Sequence, residues 1–400
     1  MDLSLAPGAD VDLGPIDLRR ALLDLYHRFG YDLVLPPPVE FLDSLLTGTG
    51  SDLDTQTFKL TDQLSGRMMG IRADTTPQVA RIDAHKLKRE TPTRLCYMGT
   101  VLRTRADTLD GSRNPFQVGA ELFGHDGVAS DVEILQLMLE TITAAGVRSQ
   151  HLDLGHVGIY RGLVAQAGLE RSQEMAFFDA LQRKAATDLQ ELIAEFALEP
   201  PVAAMFESLA SLNGDESVIA RARQELAAAS DEVHVAIDYL EQVAQALKSR
   251  MPEASIHYDL AELRAYHYQT GIVFAAFAPG SGTEIARGGR YNDIGRAFGR
   301  ARPATGFSAY LKTLVRAAAS EPPAARHAIL APWTDERELL QLVDSLRAEG
   351  KRVIWELPGQ TGDAAAMQIC RLEGKELNPG GSCRQSESPL GRKPRSAPDK

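Results

Sequence analysis

Cysteine is scarce. The 400 residues carry three, Cys96, Cys370 and Cys383, in no paired spacing. That argues against a disulfide framework or a cysteine-based zinc site, and it fits a reducing, cytoplasmic setting. Long apolar runs are missing as well. No uncharged stretch approaches the roughly 20 residues a membrane helix needs. Residues 1–14 are acidic and lack the cationic start and apolar core of a secretory signal. Positive charge is in deficit: 43 Lys and Arg face 54 Asp and Glu, for a net charge of −11. Proteins that grip phosphate backbones carry a basic face, so nucleic acid is not expected as the main partner. The P-loop, the nucleophile elbow, CxxC and HExxH are all absent, and the nine histidines fall in no metal spacing, so no metal is assigned. The glycines between Gly295 and Gly306 do not follow a strand in the dinucleotide-binding manner.

What is present is an ordinary globular composition, 44% hydrophobic and 24% charged, in a chain long enough for two or three domains. Apolar spacing predicts a helix over 17–29, closed by Gly30, then a strand over 31–34. Pro36, Pro37 and Pro38 force extended backbone without amide donors. Residues 58–72 read as a hairpin turning near 64–66, and 76–88 as a helix with Pro77 in its first turn. Strands are expected over 95–105 and 116–124, and a helix over 131–145 with Asp131 as its cap and Gly146 as its stop. From about 160 to 250 the chain becomes rich in Ala, Leu, Glu and Gln at helical spacing and reads as an inserted helical module. Strand character returns at 256–258, 271–277 and 283–286, and 302–315 reads as strand then helix. The expected domains are a core over 1–318 with the insertion at about 160–250, a short α/β unit over 327–369, and a tail over 370–400. The tail is rich in Ser, Pro, Gly and charge and is expected to be disordered.

Four short stretches carry candidate chemistry. In Gln117-Val118-Gly119-Ala120-Glu121 the amide, the glycine and the carboxylate share one strand face. That face suits a polar ligand, with Gly119 making room; a solvent-facing strand is the alternative. In 263–274, LRAYHYQTGIVF, an arginine among aromatics before a strand can clamp a carboxylate, or simply stack on tyrosine at the surface. Arg72-Ala73-Asp74-Thr75-Thr76-Pro77 joins strand to helix, where Asp74 or Thr75 is either an N-cap or a ligand contact at a helix start. Gly288-Gly289-Arg290-Tyr291 offers a close backbone approach to a small ligand.

In this order, the stretches resemble the catalytic core of the class II histidyl-tRNA synthetases over about residues 10–316. Residues 31–40, YDLVLPPPVE, resemble motif 1 with its proline at Pro37. Residues 97–124 resemble motif 2, LRAYHYQTGIVF and GGRYNDI resemble the two histidine-specific signatures, and GGRY paired with 303–307, PATGF, resembles motif 3. The resemblance implies an α+β fold: an antiparallel sheet flanked by helices, with a helical insertion and a shortened C-terminal α/β remnant, forming a homodimer. It implies a histidine pocket of Asp74, Thr76, Arg103, Gln117, Glu121, Arg264, Tyr268 and Tyr291. Asp74 stands where the family has Glu, and Gln269 where it has a second tyrosine.

The ATP side departs from the family. The acidic position two after the motif 2 arginine holds Arg105, the adenine-stacking aromatic position holds Pro115, and the motif 3 arginine position holds Thr313. Phosphoryl chemistry depends on placed positive charge, so no adenylate formation and no catalytic residue are expected. A chain that keeps the histidine pocket and loses ATP handling resembles the regulatory subunits of ATP phosphoribosyltransferase. That resemblance implies no cofactor, histidine as ligand, a role in the first step of histidine biosynthesis, and a short-form catalytic partner in a hetero-octamer of four regulatory and four catalytic chains. A divergent histidyl-tRNA synthetase and a synthetase-like tRNA-binding module are the alternatives.

Overall fold

A computed structural model describes residues 16–47, 51–106, 112–148, 150–263, 266, 268–318, 327–358, 368–373 and 376–378. The chain divides into two compact units, Met1–Ser320 and Glu321–Lys400. Among the described residues no helix is long and apolar enough to cross a membrane.

The strands of the first unit are, in chain order, β1 (Asp32–Val34), β2 (Val39–Phe41), β3 (Phe58–Thr61), β4 (Met68–Ile71), β5 (Thr93–Thr100), β6 (Phe116–Phe123), β7 (His151–His156), β8 (Asn213–Gly214), β9 (Ser255–Asp259), β10 (Ile272–Phe277), β11 (Glu284–Arg290) and β12 (Ala304–Tyr310). Nine of them form one sheet in the order β1-β5-β6-β12-β11-β10-β7-β9-β8. It is antiparallel from β5 through to β7 and parallel only at the β1–β5 and β7–β9 pairs. This is the α+β, synthetase-like sheet the motifs imply. A smaller sheet, β2-β4-β3, contains the hairpin expected over 58–72.

Strand β6 lies inside the sheet, and period-2 alternation divides its side chains. Val118, Ala120 and Leu122 join the main core, together with Val132, Leu135 and Met138 of helix Val128–Ala144. Gln117 and Glu121 face the other way and are also buried, at 0% and 1% exposure, which rules out a solvent-facing strand. The helix opens at Gly127, whose φ of 124° is one that glycine adopts freely. Asp131 is therefore one turn inside the helix and not its cap: it pairs instead with Arg290. Helix Thr76–Arg81 passes into a π-helical turn, Ile82–Leu87, that ends at left-handed Lys88. The proline tract supplies acceptors: Arg72 donates to the Pro36 carbonyl and Gln78 to that of Pro37, each at 2.8 Å.

The inserted module consists of helices Val157–Ala167, Arg171–Gln182, Ala186–Glu195, Pro200–Leu209, Ser217–Glu225 and Asp231–Arg250. Their starts follow local chemistry. His156 caps the first, Glu170 and Gln173 form a capping box on the second, and Pro200 opens the fourth. Tyr160, Phe177 and Phe206 pack together beneath them.

In the second unit β13 (His327–Pro332), helix Arg337–Ala348, β14 (Val353–Glu356), β15 (Gln368–Glu373) and β16 (Glu376–Asn378) form a sheet ordered β14-β13-β15-β16. Ala331, Leu339, Val343 and Val353 are its core. β15 and β16 lie largely in the span expected to be a disordered tail. Parallel pairing of β15 with β13 and a short hairpin to β16 satisfy backbone groups that composition alone left unassigned. Residues 379–400 lie outside the described ones.

Candidate functional site

The side of the sheet away from helix Val128–Ala144 carries a cavity of about 660 Å³. Its lining includes Asp74, Thr76, Arg103, Glu121, Tyr268 and Tyr291. The β6–β12 register sets Glu121 opposite Gly306, and Gly306 is where the carboxylate finds space: a Cβ there would collide with Glu121 Oε2. Thr76 Oγ1 donates to Glu121 Oε1 at 2.9 Å, the Tyr97 hydroxyl donates to the same oxygen at 3.3 Å, and the Tyr291 hydroxyl donates to Oε2. The Thr76 and Tyr97 hydroxyl oxygens lie 3.0 Å apart.

Burial pushes the Glu121 carboxyl up to about 8; the three hydroxyls pull it down, and the nearby Asp74 adds to the rise. The same burial holds the phenols of Tyr97, Tyr268 and Tyr291 well above their ordinary value, with the Glu121 charge next in importance, so they remain neutral donors. The Tyr268 ring lies 4.9 Å from that of Tyr291, and its buried hydroxyl has no partner among the described residues.

Asp74 precedes the helix that begins at Thr76, and its Oδ1 accepts the Thr76 amide at 3.0 Å. Gln117 does not line the cavity. It lies beneath Asp74, donating to Oδ1 at 2.9 Å while its own oxygen accepts the Thr75 amide at 3.0 Å. Its role here is to orient the acid. Arg103 is buried, donates through Nε to the Ala73 carbonyl at 3.2 Å and through an Nη to the Tyr310 hydroxyl, and reaches the cavity wall. The structure thus brings together seven of the eight pocket residues named from sequence; Arg264 lies outside the described residues.

The room over Gly119 is taken by Tyr97, not by open cavity. A Cβ on Gly119 would lie 2.5 Å from the Tyr97 hydroxyl. Tyr97 is a site residue that the sequence reading passed over, although it alternates in phase with Leu95 on β5 and stands opposite Gly119. Gly288 does line the cavity, beside Phe274, whereas Gly289 packs against Gln269. Arg105 is exposed, Pro115 is buried in the loop before β6, and Thr313 sits on helix Leu311–Ala318; none of the three lines the cavity. Among the described residues no cluster of His, Cys, Asp or Glu is suited to a metal.

An antiparallel sheet with this helical insertion, and a cavity built on the QxGxE strand and the GGRY end of β11, define a histidyl-tRNA synthetase-like protein. Residues 16–314 match the family model described as histidyl-tRNA synthetase. Residues 326–372 match a second, the ATP phosphoribosyltransferase subunit HisZ C-terminal domain. The chain is 58% identical over 351 residues to the ATP phosphoribosyltransferase regulatory subunit of Alkalilimnicola ehrlichii, covering 87% of each protein. It is 58% identical over 354 residues to that of Thioalkalivibrio sulfidiphilus, covering 88% of this chain and 90% of the relative. A solved structure described as an ATP phosphoribosyltransferase regulatory subunit/histidyl-tRNA synthetase from Bacillus halodurans superposes with a TM-score of 0.77 at 25% identity, over 88% of this chain and 92% of that one. The chain belongs to the family of ATP phosphoribosyltransferase regulatory subunits.

Proposed function

We propose that this chain senses histidine at the cavity and transmits its occupancy to the short catalytic subunit of ATP phosphoribosyltransferase, controlling the first step of histidine biosynthesis. The observation that carries this reading is the state of Glu121. It is a buried carboxyl group ringed by three hydroxyls, with a second acid, Asp74, in the same cavity. A buried acid with no cation beside it is costly, and a cationic ligand offsets that cost. Histidine offers an ammonium group and a protonatable ring to Asp74 and Glu121. Thr76, Tyr268 and Tyr291 stand beside them as hydroxyl partners, and Gln117 holds Asp74 in place. Arg103, and Arg264 by its place in the signature, are assigned to the ligand carboxylate. No cofactor is needed.

The chain is proposed to be non-catalytic, without aminoacylation activity. Arg105, Pro115 and Thr313 leave it without the acid, the aromatic face and the phosphate-binding cation on which adenylate formation depends in its synthetase kin. The names of the relatives support a catalytic partner. We assign a cytoplasmic hetero-octamer of four regulatory and four catalytic chains, in which the regulatory chains self-associate as dimers.

The test is to purify the tagged chain with its partners and assay phosphoribosyl-ATP formation from ATP and phosphoribosyl pyrophosphate. Activity should co-purify and fall when histidine is added, and Asp74→Ala should abolish the inhibition while assembly persists. Inhibition that survives Asp74→Ala and Glu121→Ala alike would remove the pocket assignment. Histidine-dependent pyrophosphate exchange by the chain alone would mean that it is a synthetase.

A further inference from the structure

The sheet does not enclose the cavity by itself. Helix Arg171–Gln182 of the inserted module contributes Met175 and Phe178 to the wall, and Tyr266, Tyr268 and Gln269 complete that side. These three residues belong to no strand or helix. Their backbone position is held in large part by one side chain of the module. Arg161, on helix Val157–Ala167, donates from a single Nη to the Tyr266 carbonyl at 2.9 Å and to the Gln269 carbonyl at 2.8 Å. Its guanidinium also lies 4.8 Å from the centre of the Tyr266 ring. The adjoining helix takes a second hold: the Tyr266 hydroxyl donates to Glu174 Oε1 at 2.6 Å, and the Tyr266 ring packs on Phe178 at 5.5 Å. Tyr268, with its unpartnered hydroxyl, lies between the two carbonyls that Arg161 holds.

We propose that Arg161 is a positioning residue for the ligand cavity, and that its grip on Tyr266 and Gln269 couples ligand occupancy to the inserted helical module. This inference rests on the reading of the cavity as a histidine site. A charged donor shared by two buried carbonyls is a strong, directional restraint. Without it the tyrosine wall keeps the Glu174 and Phe178 contacts of Tyr266 but loses the restraint on its backbone. A ligand seated on Glu121 touches a wall built partly from sheet and partly from module, so binding it favours the arrangement in which the two are joined. Reciprocally, loosening the join weakens binding. The module is thereby the element through which occupancy is felt beyond the pocket.

The test uses the full-length chain, with histidine affinity read by calorimetry and amide hydrogen exchange read by mass spectrometry. In the wild type, histidine should slow exchange in β6 and in helix Arg171–Gln182. Arg161→Met should weaken histidine about tenfold, the scale of losing charge-assisted hydrogen bonds. At saturating histidine it should keep the protection of β6 and lose that of the helix, a pattern that a general loss of stability would not produce. Arg161→Met with wild-type affinity and full protection of the helix overturns the inference. Should that variant fail to fold, Glu174→Gln reads the same two quantities, and an unchanged result there overturns it equally. A wild type that binds histidine but protects only the sheet overturns the coupling alone. A wild type that binds none overturns the site reading and the coupling with it.

Discussion

Arg290 and Tyr291 are consecutive in the chain and serve opposite faces of the sheet. Arg290 points to helix Val128–Ala144, where its Nη2 meets Asp131 at 2.9 Å, and Tyr291 points into the cavity, where its hydroxyl bonds Glu121. The buried ion pair thus anchors the strand end that presents the cavity-facing phenol. Tyr239 of helix Asp231–Arg250 donates to the same Asp131 and joins the inserted module to this anchor.

Arg290→Met strips Asp131 of its cation in a site with no exposure to solvent. Breaking one half of such a pair costs about 3–5 kcal/mol. The chemical denaturation midpoint should drop accordingly, and a midpoint near wild type would show that the pair contributes little.

Glu121 makes the stability of the ligand-free protein fall with rising pH. Its folded value, about 8, stands above its ordinary 4.5, so in that window the folded state holds a proton that the unfolded state has released. The penalty is absent below the lower value, grows through the window and is complete above the upper one. Thermal midpoints from pH 5 to 9 should show this slope for the wild type, and Glu121→Gln should flatten it.

Histidine binding near pH 7 should expel that proton, because a cationic ligand favours the ionised carboxylate. Calorimetry in buffers of different ionisation enthalpy counts it. Glu121→Gln should bind histidine more weakly and release no proton from this position; equal release by the variant would place the titrating group elsewhere.

Gly306→Ala inserts a methyl group where the Glu121 carboxylate lies. A Cβ there also lies 2.8 Å from the Ala120 carbonyl of β6, so both the Glu121 side chain and the β6–β12 pairing must give. Histidine affinity should fall by more than about tenfold, in line with the loss of a charged contact, and calorimetry on the folded variant tests this.

Tyr291→Phe removes one donor to Glu121 and leaves the ring stack on Tyr268 in place. The carboxyl value should rise further, and histidine should weaken about tenfold, as for other hydrogen bonds to a charged group. Retained affinity would show that the Thr76 and Tyr97 hydroxyls suffice.

The local order of the chain was legible in its residues. Glycine and proline punctuation marked helix ends and the 58–72 hairpin, and alternation placed Gln117 and Glu121 on one face of their strand, because those patterns depend on neighbours within a few positions. Asp131 was misread as a cap for the same reason: its partner Arg290 lies 159 residues away and no local rule points to it. The strand at Gln368–Glu373 straddles the start of the span read as a tail, and its backbone partner is far off at His327–Pro332.

Sequence alone determined which side chains share a face of each strand, since a period of two fixes that once the strand forms. Only the tertiary structure decided what surrounds them. Strand register set Gly306 against Glu121, filled the space over Gly119 with Tyr97, and brought Tyr291 to a carboxylate 170 residues distant. Packing of the inserted helices then placed Phe178 at the wall and Arg161 on the Tyr266 and Gln269 carbonyls. These contacts join segments far apart in the chain, and only the folded sheet brings them within hydrogen-bonding reach.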